Sequence, residues 1–190
     1  MQIRHSLRRQ EDEGRKETRR TNGETMPHRI TRCGCMREGG RRGTMFEKVL
    51  FPTDFSDVAE KALEFVKELK EAGTEEVIVL HVIKKQSLEV IAQYSSIREF
   101  QEVEQEVEGD ARHQLQQIAN DLRETGLAVT IRIETGFPVI EILKVETEED
   151  VSAIVIGSHG LSNLKEILLG SVSESVIRKS KKPVVVIKRE

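Results

Sequence analysis

The chain has 190 residues, of which 37% are hydrophobic and 33% charged, with a net charge of −3. That length suits one domain plus an extension, and no apolar run approaches the roughly twenty residues of a bilayer-spanning helix. The overall charge conceals a break near Met45: residues 1–44 carry 12 Lys or Arg against 6 Asp or Glu, whereas the rest carries 18 against 27.

Residues 1–44 hold too few apolar side chains to offset the entropy of ordering, so a disordered basic extension is expected. Met45 stands directly before the first apolar run, which leaves open that the leader is an upstream stretch read from an early start codon. No apolar core follows its basic residues, so it is not read as a signal peptide. Arg8-Arg9, Arg19-Arg20 and Arg41-Arg42 lack the interleaved aromatic residues of single-strand binders, and a nucleic-acid partner is not expected. Both cysteines, Cys33 and Cys35, lie here with only His28 nearby, which is short of the second ligand pair of a structural zinc site. The rest of the chain has no thiol chemistry, and a cytoplasmic location is expected.

Lys48–Phe51 reads as a short buried strand ending at Pro52. Asp54-Phe55-Ser56 offers cap residues before Ala59, Ala62, Leu63, Val66 and Leu69, a helical stripe that Gly73 is expected to close. Val77–Ile83 is a second strand. After a polar stretch, Val103, Val107, Ala111, Leu115, Ile118 and Leu122 mark one face of an amphipathic helix, ended by Gly126. Ala128–Ile133 is a third strand and Pro138 opens a helix through Ile142, Leu143 and Val145. Val151–Ile156 is a fourth strand; Gly170-Ser171 starts a helix through Val172, Val176 and Ile177. Pro183 stops it, and Val184–Ile187 is the last strand.

The order βαβαβαβαβ predicts an α/β fold: an open, mainly parallel five-stranded sheet with helices on both faces, Rossmann-like. In such sheets a ligand lies beyond the carboxyl ends of the strands, where strand order reverses. That directs attention to Pro52-Thr53-Asp54, Val82-Ile83, Thr135-Gly136 and Gly157 onward.

The sharpest motif is Gly157-Ser158-His159-Gly160, nine residues, then Gly170-Ser171. Glycines admit a close backbone approach, and a helix N-terminus presents unpaired N–H groups suited to phosphate. The same glycines could instead make only a tight strand exit and a helix junction. Neither G-x-x-x-x-G-K-[ST] nor G-x-G-x-x-G occurs, which removes the kinase and dehydrogenase readings built on them.

The spacing Gly-x2-Gly-x9-Gly-Ser, with the run GSHGLSNLKEILLGSVSESVIRKSKKPVVVIKR, resembles the signature of the universal stress protein family in its ATP-binding branch. Lys48–Ser56, Val79–Val82 and Gly136-Phe137-Pro138 resemble its first strand and turn, its second strand and its third strand-to-helix turn, so the likeness runs through residues 45–190. It implies an adenine nucleotide alpha hydrolase-like fold that binds ATP with Mg²⁺ or Mn²⁺, the metal held by phosphate oxygens and water rather than by protein ligands. Pro52, Thr53 and Asp54 would border adenine and ribose, and Val82 would give adenine backbone hydrogen bonds. Ile156, Gly157, Ser158 and Gly160 would line ribose and triphosphate, and Gly170, Ser171, Val172 and Ser173 would hold phosphates. It also implies a homodimer through the edge strand Val184–Ile187.

Plainer roles stand beside these. Asp54 is also a candidate helix cap, His81 reads as a packed strand residue, and Lys165 reads as a solvated charge. His159, inside the glycine loop, is a candidate for a direct metal role. Two positions depart from the family pattern, Ser152 before the fourth strand and Glu146 in the preceding helix, which bears on local packing. The loop lacks a clear base, and no arginine lies between Arg132 and Arg178, so hydrolysis is expected to be slow or partner-dependent. The expectation is therefore a nucleotide-dependent regulatory module. The alternatives are an ATPase or phosphotransferase using His159 or Asp54, and a dimeric interaction protein with a vestigial site.

Overall fold

A computed structural model describes residues 45–161 and 169–188. The expected leader, its cysteines and Lys165 lie outside these residues. The elements are β1 (Lys48–Pro52), α1 (Asp57–Glu68), β2 (Glu76–Lys84), α2 (Lys85–Tyr94), α3 (Ile97–Glu124), β3 (Ala128–Gly136), α4 (Pro138–Glu148), β4 (Ala153–Gly157), α5 (Ser171–Lys179) and β5 (Val184–Ile187). The strands form one sheet in the order β3-β2-β1-β4-β5, parallel throughout, as the alternating pattern predicts.

Both faces of the sheet are covered because the strands are apolar on both sides. One face presents Val49, Phe51, Val77, Val79 and Val155 to Ala62, Leu63 and Val66 of α1 and to Leu115 and Leu122 of α3. The other presents Leu50, Ile78, Leu80, Ile154 and Ile156 to Ile142 and Val145 of α4 and Val176 of α5. Each such buried side chain contributes about 1.5–3 kcal/mol relative to exposure, so these two layers hold the fold.

Strand ends shift by one to three residues from the sequence reading, β3 running on to Gly136 and β4 starting at Ala153, and three features of the helices refine it. Of the cap residues offered by Asp54-Phe55-Ser56, it is Ser56 that caps α1, its hydroxyl accepting from Ala59 N at 3.3 Å. That helix ends at Glu68, and a run of turns carries the chain on to Gly73, whose φ of 95° needs glycine. The β2–β3 crossover holds two helices rather than one. α3 begins at Ile97 behind a capping box in which Ser96 and Glu99 bond reciprocally, and α2 precedes it. Leu88 is α2's single buried residue and no side chain caps its N-terminus, so it carries neither the stripe nor the cap that a sequence reading uses.

The two family departures are both put to use. Ser152 Oγ accepts from Lys48 N at 2.9 Å and donates to Lys48 O at 2.7 Å, tying β4 to β1 where a carboxylate could only accept. Glu146 is buried, and its Oε1 accepts from Ser180 Oγ, Lys181 N and Lys182 N at 3.1, 2.8 and 3.0 Å, fixing the turn into β5.

Candidate functional site

Strand order reverses between β1 and β4, and a cleft opens beyond their carboxyl ends. Leu80, Val82, Pro138, Ile142 and Ile156 give it apolar sides, and the glycine loop with the start of α5 gives it a polar end. Of the residues singled out from sequence, Pro52, Thr53, Asp54, Val82, Ile156, Gly157, Gly160, Gly170, Ser171, Val172 and Ser173 all line it. Ile83, Thr135, Gly136 and Ser158 do not; Ser158 is buried behind the loop.

The β1–α1 turn is held in a conformation that local preference alone would not choose. Phe55 has φ 62°, uncommon for a bulky residue. Its N–H donates to Thr53 Oγ1 at 3.1 Å, and its ring stacks on His81 with centroids 4.4 Å apart. His81 Nδ1 donates in turn to Thr53 O at 2.9 Å, while Thr53 N donates to Leu80 O at 2.8 Å. Burial lowers the His81 pKa below 6.5, opposed by the Thr53 carbonyl. His81 is thus a packed strand residue that also braces the turn. Asp54 then spans the cleft: Oδ1 accepts from Ser56 N at 3.2 Å and Oδ2 from Leu161 N at 3.1 Å. A Cβ at Gly160 would collide with that carboxylate, which is why glycine stands there.

At the other wall, Ser158 organises the entry to α5. Its carbonyl accepts from Gly170 N at 2.7 Å and Ser173 Oγ at 2.8 Å, and its own N donates to Ile187 O. Its hydroxyl shares a 2.9 Å hydrogen bond with His159 Nδ1. A Cβ on Gly170 would stand 3.2 Å from Ser158 O and 3.4 Å from His159 Cα, so a side chain there requires this backbone to give by a few tenths of an ångström. Ser173's hydroxyl is committed to carbonyls, whereas Ser171 is exposed. No side chain caps α5, and among the described residues the N–H groups of Ser171, Val172 and Ser173 meet no protein acceptor. They stand free at the positive end of the helix dipole.

A second set of open backbone groups lies on β2. Leu80 turns its carbonyl towards β1, and Val82, two residues on, turns its N–H and C=O to the same side. β1 has already ended there, Pro52 being the register partner of Leu80. The Val82 peptide groups therefore face the cleft without a strand to pair with, a condition that buried backbone rarely tolerates unless something else bonds to it.

The profile of the universal stress protein family matches residues 45–188. Universal stress protein MJ0577 of Methanocaldococcus jannaschii is 43% identical over 157 residues, covering 77% of this chain and 97% of that protein. The chain belongs to the universal stress protein family. YxiE of Bacillus subtilis is 34% identical over 149 residues, covering 76% of this chain and all of YxiE. The solved structure of MJ0577 superposes with a TM-score of 0.69, covering 77% of this chain and 98% of that one. An Arabidopsis thaliana family protein solved with AMP bound shares the fold at 23% identity and a TM-score of 0.55, over 75% of this chain and 92% of that one.

In this universal stress protein, several cleft residues were not visible from sequence: Ala59, Leu80, Lys84, Pro138, Ile142 and Leu161. They come from α1, β2, α4 and the loop after β4, and only the sheet order brings them together. Pro138 and Ile142 stand four apart on α4, a spacing that signals a buried face and nothing more specific. Lys84 follows an apolar strand and reads as its polar end.

Proposed function

We propose that the chain binds ATP in this cleft and acts as a nucleotide-dependent regulatory module of the stress response. The observation that carries this reading is the pair of open backbone sets facing one cavity: the Val82 peptide groups on one wall and three free N–H groups at the start of α5 on the other. An apolar slot between Leu80, Val82, Pro138 and Ile142 suits a flat base, and the uncapped helix suits phosphate. The fold neighbour solved with AMP is in keeping with this reading. Mg²⁺ or Mn²⁺ would enter on phosphate oxygens and water, with no protein ligand required.

In this arrangement the protein's own groups orient rather than react. Val82 would hold the base edge, and the amides of Ser171 to Ser173 would take the phosphate charge. Asp54, bonded to Leu161 N, would keep the loop over the ribose. Fast transfer also needs a placed base and cations aimed at the leaving phosphate, and among the described cleft residues only Lys84 carries a full positive charge. Hydrolysis is therefore slow or depends on a partner. Dimerisation belongs to the same proposal: among the described residues β5 pairs with β4 alone, leaving an apolar edge of the kind that is normally paired or covered.

Calorimetry of the full chain with Mg²⁺ and ATP, beside Gly170→Val, tests this. Saturable binding in the parent and none in the variant is expected, with the dimer retained in both by light scattering. Absence of binding in the parent at millimolar ATP would leave an interaction protein with a vestigial site. Brisk turnover that disappears in His159→Ala would make it an enzyme instead.

A further inference from the structure

The charged lining of the cleft is sparse. Besides His159, only Asp54 and Lys84 carry ionisable side chains among the described lining residues. Asp54 is already engaged by Leu161 N and Ser56 N. Lys84 has no ion-pair partner among the described residues. Glu134, the carboxylate on β3, is held by Arg132 and Lys144. Glu141, which lies against the register partner Gly136, is held by Lys144. An exposed ammonium group thus remains facing the cavity.

Its position selects what it would meet. β2 runs four residues past Leu80, the partner of Pro52, which at about 3.3 Å per residue raises Lys84 some 13 Å above the end of β1. It shares the even-numbered face of β2 with Leu80 and Val82, on the same wall as the open Val82 peptide. The start of α5 lies beyond β4, and β4 is two strand spacings from β2, or roughly 10 Å. A nucleotide with phosphates on α5 and base on Val82 therefore brings its base edge, not its phosphates, to Lys84.

An ammonium group has three donors and no acceptor. Facing a purine edge it is matched by a 6-oxo group, and by N7 beside it, and is opposed by a 6-amino group; lysine bonds O6 and N7 of guanine in this way. We propose that Lys84 is a specificity-determining residue that admits 6-oxopurine nucleotides, inosine and guanosine triphosphates, to the same cleft as ATP. The inference rests on the nucleotide reading above and deepens it from ATP to a class of purine nucleotides.

The test is competition binding of ATP, ITP and GTP with Mg²⁺ to the full chain and to Lys84→Met and Lys84→Asp. ITP isolates the 6-position, because it differs from ATP there and in the N1 proton that follows from it. In the parent, ITP and GTP are expected to bind within about five-fold of ATP. Lys84→Met should lower the ITP-to-ATP affinity ratio by about five-fold, the low end of one base-edge contact. Lys84→Asp, which accepts from a 6-amino group, should lower it further. An unchanged ratio in both variants would overturn the assignment while leaving nucleotide binding intact. So would equal losses for ATP and ITP that grow from AMP to ADP to ATP, since Lys84 would then serve phosphate. If no nucleotide binds the parent at millimolar concentration, the nucleotide reading itself fails and the base assignment falls with it.

Discussion

At the carboxyl ends of β1 and β4 the polar groups face outward with few protein partners, whereas along α4 they face one another. Arg132 on β3 reaches Glu134, Glu148 and Glu149 at 2.6, 3.0 and 2.9 Å. Lys48 at the start of β1 joins Glu149 and Glu76 at 3.0 and 3.4 Å. Glu146, on the same helix, gathers three donors from the α5–β5 turn. One region spends its charges internally and straps a helix to the sheet; the other keeps backbone amides and a lysine directed at the cleft. Groups committed to one another stabilise, and groups left open are the ones that can recognise a ligand. Substitutions should separate the two: along α4 they should cost stability and spare binding, and in the cleft the reverse.

The largest stability effect is expected from Glu146→Ala, which removes a buried carboxylate that accepts from Ser180 Oγ and from the part-buried amides of Lys181 and Lys182. Urea unfolding should show a loss of about 3 kcal/mol, with ATP affinity changed less than two-fold when measured well below the unfolding midpoint. Arg132→Met should cost less, about 1–2 kcal/mol, because its partners are partly solvated.

The same network predicts an acid limit. Glu134 lies below its ordinary 4.5, chiefly through its hydrogen bond from Arg132, and Glu149 likewise, chiefly through Lys48. The unfolded chain takes up these protons first, so their contribution is complete above about pH 4.5 and fades as pH falls through the lower folded values. Arg132→Met should flatten that loss in thermal melts below pH 5. His81 acts higher: half-buried, with its pKa lowered below 6.5 chiefly by desolvation, it favours the fold above pH 6.5 and withdraws that support as pH falls. An NMR titration should place its pKa below 6.5. The smallest effect is expected from Arg98→Ala on α3, whose pair with Glu102 is almost wholly exposed, at under about 0.5 kcal/mol in the same unfolding assay.

What the sequence disclosed follows the same division. Strands apolar on both sides, Pro138 at a helix start and glycines around a strand exit are local signals, and each was legible. So was the glycine loop, because a helix start after Gly170 has a chemical meaning at any sheet position. α2 was hidden because its contacts are few and its cap is missing. Lys84, Pro138 and Ile142 were hidden as cleft residues for another reason: their meaning depends on β2 outrunning β1, a fact of register and not of composition. Ser152 and Glu146 looked like defects against a family pattern and proved to be hydrogen-bonded joints, visible only once their partners 104 and 34–36 positions away were known.

The hydrogen bond from Leu161 N to Asp54 Oδ2 joins groups 107 positions apart, and β1 gains its second neighbour only when β4 arrives. A chain leaving the ribosome amino end first can pair β1 with β2 and β3 while residues 153–173 are still in the exit tunnel or unmade. At that stage there is one wall and no α5, so nothing holds a phosphate. A nucleotide bound as proposed could therefore not assist early folding; it would only stabilise the finished molecule by mass action. A product truncated before β4 would carry three strands and no cleft, so occupancy of the site would report that synthesis and folding were complete.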